Sequence, residues 1–282
     1  MKNVKINNIN NDKNDRHPDL SNTRNSYLPS HRSIALSEHT GKSEKISSAA
    51  WKVVAILSLI ATMVLGIIFS QAQQKTPHTG GTSFGLRAGV NFQNINGKDE
   101  NDDKLKNDML TGFNIGINAE IPVGIDFYFQ PGLLYTIKGA KSEDDILGQP
   151  FNTTLKISYL EVPLNFLYKP MLGKGHLILG FGPYVAFGIG GKATYDGGGS
   201  SITEKIKFQN TVKNSDPDDV VYIRPMDAGA NMLVGYEFGN RVSFQLNTQL
   251  GLTKINPEYE GSSNDKTSAK NTGFGFSLGY RF

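Results

Sequence analysis

The 282-residue sequence contains no cysteine, and its net charge is only +3. Without cysteine, the chain has no disulfide framework, no thiol nucleophile and no thiolate metal site. The small positive charge lies at the N-terminus. Residues 1–52 carry nine Lys or Arg and five Asp or Glu, whereas the rest of the chain carries twenty Lys or Arg and twenty-one Asp or Glu. This balance gives no basis for a nucleic-acid groove in the folded part, and nucleic acid is not an expected partner.

The N-terminal third of the chain divides into three segments by composition. Residues 1–50 have few large apolar side chains and no sustained period, which predicts a disordered polar tail. Residues 51–72 hold a basic flank, an uncharged apolar run and a small-x-small site, which predict an export signal cleaved after Ala72. The apolar run also suits a short spanning helix, so an uncleaved anchor helix is the alternative. Residues 73–81 form a polar linker.

The last twelve residues alternate strictly between two kinds of side chain. Large apolar residues occupy every second place from Phe274 to Phe282, with Gly, Ser or Arg between them. Because strand side chains alternate between faces, this segment has one apolar and one small or polar face. Seven earlier segments alternate in the same way. We predict strands at about residues 83–94, 110–121, 125–138, 154–169, 176–190, 222–238, 241–253 and 271–282.

The polar faces and the connections favour a membrane barrel. The polar faces contain Arg, Glu, Asp and Asn, which suit a wet lumen better than the dry core of a soluble lipocalin-like barrel, which is the alternative. Short turns alternate with longer polar loops, as in outer-membrane barrels. The loops are predicted at residues 95–109, 139–153, 191–221 and 254–269. Residues 82–282 are therefore predicted to be all-β: an eight-stranded antiparallel up-and-down transmembrane β-barrel, preceded by the disordered tail and one hydrophobic helix.

Charged residues on the inward faces are the candidate site. They are Arg87, Glu120, Asp126, Glu161, Asp227, Glu237, Arg241 and Arg281. An eight-stranded barrel is just wide enough for its own side chains, so we expect these charges to pair as a structural plug. A proton or ion path, or a gate, is the alternative.

Four segments carry a resemblance to a known family. They are residues 84–91 (FGLRAGVN), 159–164 (YLEVPL), 180–184 (GFGPY) and 279–282 (GYRF). In these, the chain resembles the porin-family outer-membrane barrels of the PorT type, which share the shape of the small OmpA-like barrels. The resemblance implies a Gram-negative outer membrane and a C-terminal strand, ending in Tyr280 and Phe282, that the barrel-assembly machinery reads. The long leader departs from the family's short signals.

Motifs for metal, phosphate or hydrolytic chemistry are weak. The acidic run at residues 99–103 lacks the glycine and the bidentate glutamate of a calcium loop. The glycine-rich stretches lack a Walker lysine. His176 is the only histidine after residue 80, and it lies at the short-turn end of its strand. We therefore predict no cofactor, no metal and no catalytic site.

The predicted function is that of a non-enzymatic outer-membrane anchor. Its four outside loops would contact a surface or envelope protein. Its wall would contact the outer-membrane lipid. A narrow transport or secretion-accessory barrel of the PorT type is the first alternative. An envelope sensor, held by an uncleaved N-terminal helix, is the second.

Overall fold

The computed structural model describes residues 81–99, 102–146, 149–261 and 267–282, and these residues form strands and their connections. The N-terminal tail, the export or anchor segment and most of the linker lie outside the described residues. Eight long strands are β1 Ser83–Lys98, β2 Asp108–Gly124, β3 Phe127–Ile146, β4 Gln149–Tyr168, β6 Gly175–Gly197, β10 Met226–Glu237, β11 Val242–Gly251 and β13 Ser268–Arg281. Five short strands are β5 Met171–Leu172, β7 Ser200–Phe208, β8 Thr211–Val212, β9 Val221–Ile223 and β12 Glu258–Tyr259. In this described part, no helix is long and apolar enough to cross a membrane.

The eight long strands close into a ring. Each pairs antiparallel with the next along the chain, and β1 also pairs with β13, so the sheet has no open edge. Leu86 on β1, for example, lies opposite Ile117 on β2 and Tyr280 on β13. The predicted eight-stranded antiparallel barrel is thus confirmed.

The two faces of the wall differ as the alternation predicted. On β11, Leu246 is 39% exposed while the neighbouring Gln245 is 4% exposed. Across the strands, outward residues lie opposite outward residues, as Leu246 does to Val234 and Phe276. Five residues that follow the outward register nevertheless have little exposed surface: Ala119, Ile121, Pro131, Val162 and Phe187. The outer wall is otherwise an apolar band, as a lipid-facing surface requires.

Aromatic side chains pair near both edges of this band. At the short-turn edge the ring pairs are Phe127–Tyr168, Tyr236–Phe238 and Tyr280–Phe282, with centroids 4.8, 5.0 and 5.3 Å apart. Nearer the other edge are Phe92–Phe274 at 5.3 Å and Phe113–Tyr135 at 5.7 Å. Membrane barrels carry such aromatic girdles at the two lipid–water interfaces.

The two rims differ in the length of their connections. One rim has short turns after β2, β4 and β10, and the chain enters β1 and leaves β13 there. The other rim carries the long connections, but two of them are more regular than predicted. Residues 139–153 are mostly strand, because β3 and β4 stay paired up to Ile146 and Gln149. Residues 191–208 are also mostly strand, because β6 continues into a hairpin with β7.

Candidate functional site

Among the described residues, two separate groups of ion-paired side chains lie in the barrel interior. The loop-side cluster, nearer the long connections, consists of Lys138, Glu161 and Asp227. The Lys138 ammonium lies 2.8 Å from Glu161 Oε2 and 3.1 Å from Asp227 Oδ2. All three side chains are almost completely buried. Charges removed from water in this way are tolerated only when paired and hydrogen-bonded.

Neutral side chains hydrogen-bond the carboxylates of the loop-side cluster. The Tyr184 hydroxyl donates to Asp227 at 3.3 Å, and the Asn271 amide donates to Asp227 Oδ2 at 3.0 Å. The Gln249 amide donates to Glu161 Oε1 at 2.7 Å. The Lys138 ammonium also lies 4.0 Å from the centroid of the Tyr184 ring, a cation–π contact. The cluster and its partners thus come from six of the eight barrel strands: β3, β4, β6, β10, β11 and β13.

The turn-side cluster lies near the short turns. The Lys169 ammonium donates to Glu120 Oε2 and to Glu237 Oε2, each at 2.8 Å. Arg281 pairs with the other oxygen of Glu120, which also accepts from the Gln130 amide at 3.1 Å. Two cations thus face two carboxylates, so this cluster is formally neutral.

A small cavity lies in the lumen between the clusters. Its volume is about 30 Å³. The side chains that line it are mostly polar and include Arg87, Asn91, Gln93, Asn114, Thr136, Glu161, Asn247 and Gln249. A cavity of this size suits one or two water molecules rather than a passing solute.

An apolar cap closes the lumen on the long-loop side. Its buried members are Ile95, Ala140, Ile157, Tyr159, Tyr184, Ala186, Ile223 and Ile255, with Leu105, Leu155, Ile206, Phe208, Val221 and Ala269 packed against them. Six of these lie outside the eight barrel strands: Leu105, Ile206, Phe208, Val221, Ile223 and Ile255. Backbone hydrogen bonds hold them in place, including Gly188 N to Pro225 O at 2.8 Å and Ile255 N to Ala269 O at 2.8 Å. The long connections therefore fold back over the barrel mouth.

The contact between Phe208 and Gly188 allows a direct test of the cap. A Cβ at Gly188 would lie 2.0 Å from a Phe208 ring carbon, whereas a Cβ at Gly190 would meet no described atom within 4 Å. We expect Gly188→Val to displace Phe208 and to cost about 1–3 kcal/mol, as overpacking does. Limited proteolysis should show faster cleavage of residues 209–220. Gly190→Val is the matched control, and equal cleavage of the two variants would contradict this packing.

Two long connections join above the cap into one platform. Strands β8 and β12 pair in parallel, with Thr211 opposite Glu258 and Val212 opposite Tyr259. The Arg224 guanidinium lies 2.8 Å from Glu258 and donates to the carbonyl of Asn256 at 2.7 Å. The outer platform, residues 209–225 and 252–261, is thus one surface.

Asp216 orders one edge of the outer platform. Its Oδ2 accepts from the Lys213 backbone amide at 2.8 Å and from the Gln209 side-chain amide at 2.6 Å. These bonds, that from the Lys213 amide first, lower the pKa of the Asp216 carboxyl below its usual value. The carboxylate therefore stays ionised at neutral pH and keeps this turn closed.

The comparison with known families agrees with this architecture. Residues 69–256 match the family described as outer membrane protein beta-barrel domain. The chain belongs to that family. This outer-membrane barrel has no match among curated protein sequences.

Two solved structures are similar in fold to this outer-membrane barrel. The attachment invasion locus protein Ail of Yersinia pestis, solved in complex with the heparin analogue sucrose octasulfate, is 14% identical, with a TM-score of 0.35. Neisserial surface protein A is 14% identical, with a TM-score of 0.37. Each comparison covers 72% of this chain and 100% of the other.

Six of the eight residues expected in the lumen network lie inside the barrel. Glu161 and Asp227 are in the loop-side cluster, and Glu120, Glu237 and Arg281 are in the turn-side cluster. Arg87 lines the cavity between them, with its guanidinium 3.5 Å from Asn247 Oδ1.

The other two residues lie on turns. Asp126 occupies the turn between β2 and β3 with φ 61°, and Arg241 is exposed on the turn between β10 and β11 with φ 67°. Both positions are in the left-handed region, where the chain leaves the pleat. The two-residue period ends with the strands, so it does not predict which way these two side chains point.

Two lysines at the centres of the clusters were not among the expected site residues. The alternation predicts that Lys138 is on the inward face of β3. It does not predict the ion pairs of Lys138, because both partners are distant in sequence. Lys169 follows the outward Tyr168 and precedes Pro170, and the segment reads as a turn. Continuing the alternation by one residue would have placed Lys169 inward.

The C-terminal residues lie on the outward side of the short-turn rim. Tyr280 and Phe282 are both exposed, and the Phe282 amide donates to the Phe84 carbonyl at 2.8 Å. His176 also lies at this rim, opposite Glu237. Among the described residues, no group of three or more His, Cys, Asp or Glu side chains is placed to hold a metal ion.

Proposed function

We propose that this outer-membrane barrel is a non-enzymatic anchor that presents the outer platform to a surface or envelope protein. The observation that carries the proposal is the filling of the lumen. Two clusters of paired ions and the apolar cap occupy it, leaving a cavity of about 30 Å³. The charge network then has a structural role, and the protein's interaction surface lies outside the lumen.

The platform supports a binding role because it is preformed. Its two connections are held together by a β-bridge pair, an ion pair and side-chain hydrogen bonds. A surface ordered in advance loses less conformational entropy on binding than free loops do. In bacterial outer-membrane barrels the longer loops face outward, which would place the platform on the cell surface.

A role as a narrow transport or secretion-accessory barrel of the PorT type is the second candidate. The observation that favours it is that connections, not wall strands, supply Phe208, Ile223 and Ile255 to the cap. Such a cover could move without breaking the barrel. An envelope sensor anchored by an uncleaved helix is the third, and N-terminal sequencing of the mature protein tests it together with cleavage after Ala72.

Assembly into the membrane would use the C-terminal strand. Tyr280 and Phe282 project outward at the rim where the chain ends, and the Arg281 side chain between them points into the lumen. We propose that the barrel-assembly machinery recognises these two aromatic residues and that outer-membrane lipid then covers them.

Planar-bilayer conductance tests the filled lumen. The purified full chain should show no stable open channel, because both clusters and the cap block the axis. A stable channel of large conductance would overturn the anchor proposal and favour transport.

Site-specific photo-crosslinking in whole cells tests the platform. A photoreactive residue at Tyr259, on the platform, is compared with one at Met171, an exposed residue on a short turn. A protein captured only from position 259, and captured less when Arg224→Ala loosens the platform, supports surface presentation. Capture only from position 171 would instead support the secretion-accessory role.

A further inference from the structure

Three lysines lie side by side where the wall extends beyond the apolar band. Lys156 on β4 is directly opposite Lys192 on β6, and Lys192 is directly opposite Lys205 on β7. All three side chains are exposed. We call this set the lysine row.

The lysine row is electrostatically unfavourable by itself. Side chains directly opposite on neighbouring strands have Cβ atoms about 4.5–5.5 Å apart, and like charges in such pairs destabilise a sheet. Among the described residues, no carboxylate forms an ion pair with any of the three. Lys207, two residues further along β7, is not part of the row, because its ammonium lies over the Tyr222 ring, 5.5 Å from the centroid. The arrangement therefore calls for an anionic partner.

The row lies on the outward face, just beyond the apolar surface. The alternate positions on these strands, Ile157 and Ala193, point inward and are buried. One outward position closer to the short turns, Ser158 lies opposite Gly190, and its hydroxyl is 2.9 Å from that of Tyr135. The next outward pair is Leu160 with Phe187; Leu160 is partly exposed and Phe187 is buried.

We propose that the lysine row binds the phosphate groups of outer-leaflet lipids. Lys156 is two outward positions beyond Leu160, about 10 Å along a tilted strand, so the row falls at the height of the headgroups rather than of the acyl chains. Lysine ammonium groups bind phosphate as point charges, and basic clusters beside a membrane recognise anionic headgroups. The acidic residues of this face, Glu143 and Asp196, lie further out along the strands, away from the lipid.

Lipid retention measured by native mass spectrometry tests the proposal. The purified full chain is reconstituted with phosphatidylcholine containing either phosphorylated lipid A or dephosphorylated lipid A. The wild type should retain the phosphorylated form selectively. The variant Lys156→Gln/Lys192→Gln/Lys205→Gln should bind it on the order of 100-fold more weakly, given the contribution of each lysine near an anionic surface.

A charge-matched variant controls for net charge. Lys104→Gln/Lys106→Gln/Lys174→Gln removes three exposed lysines elsewhere and should retain the phosphorylated lipid as the wild type does. Equal loss in both variants, or equal retention of both lipid forms by the wild type, would overturn the proposal. Tight, row-dependent binding of free inorganic polyphosphate without preference for the lipid would also overturn the proposal, because the ligand of the row would then be a soluble polyanion.

Thermal stability gives a second readout that does not need lipid recovery. In pure phosphatidylcholine, the row variant should melt at a higher temperature than the wild type, because the repulsion is removed. Adding phosphorylated lipid A should raise the melting temperature of the wild type more than that of the row variant. A wild type that is the more stable protein in phosphatidylcholine, and unaffected by the phosphorylated lipid, would contradict the proposal.

Discussion

Replacing Lys138 with methionine is expected to destabilise the barrel by about 3–5 kcal/mol. The substitution keeps the size of the side chain but leaves Glu161 and Asp227 without the cation that lies 2.8 and 3.1 Å from them. Both carboxylates are buried in the lumen, so water cannot replace the lost ammonium. Urea unfolding from phospholipid vesicles, followed by heat-modifiability on a gel, measures the effect.

Neutralising the partners separates the loss of pairing from the loss of packing. The variant Lys138→Met/Glu161→Gln/Asp227→Asn has no unpaired charge and keeps the hydrogen-bonding side chains in place. It should recover most of the stability that the single substitution removes, because replacing a whole buried ion group is often neutral. A triple variant as unstable as Lys138→Met would show that the lysine acts through its packing against Tyr184 instead.

Arginine in place of Leu246 is expected to cost about 2–4 kcal/mol. Leu246 is on the outward face of β11 between Val234 and Phe276, in the middle of the apolar band. A guanidinium there would have to enter the acyl-chain region or distort the bilayer. Folding titrations in vesicles of fixed chain length give the free energy.

Leu252→Arg is the matched control for depth. Leu252 is 59% exposed and follows the end of β11 at the long-loop side. The penalty for a charge on the lipid face falls to about 0–1 kcal/mol near the interface. Equal penalties at positions 246 and 252, or none at 246, would mean that the apolar band is not the lipid-facing surface.

The wall of the barrel could be predicted from the sequence because the face of each side chain depends only on its position along its own strand. Every second residue faces lipid, so Phe244, Leu246 and Leu250 are apolar while Ser243 and Gln245 are polar. The short turns could also be predicted, since residues such as Gly239 and Asn240 interrupt the alternation between two strands. Strand number and antiparallel order follow from these two features.

The strand extensions and the ion pairs could not be predicted in the same way. Beyond the bilayer the outward face of a strand meets water, so the paired part of β3 and β4 above residue 139 carries exposed polar residues such as Lys141 and Glu143, as a loop does. Which cation meets which carboxylate depends on positions around the ring, as for Lys138 and Asp227 on strands that share no edge. Alternation gives the face of a residue but not its neighbour across the lumen.

The ion pairs also constrain when this barrel can form during its synthesis. Lys138 and Asp227 are 89 residues apart, and Arg281 is 161 residues from Glu120. Arg281 is on β13, so the carboxylate of Glu120 gains its second cation only after β13 has been translated. A nascent chain that lacks β13 therefore cannot balance the charges of the turn-side cluster. Closure of the ring and neutralisation of this cluster become possible together, because both need β13.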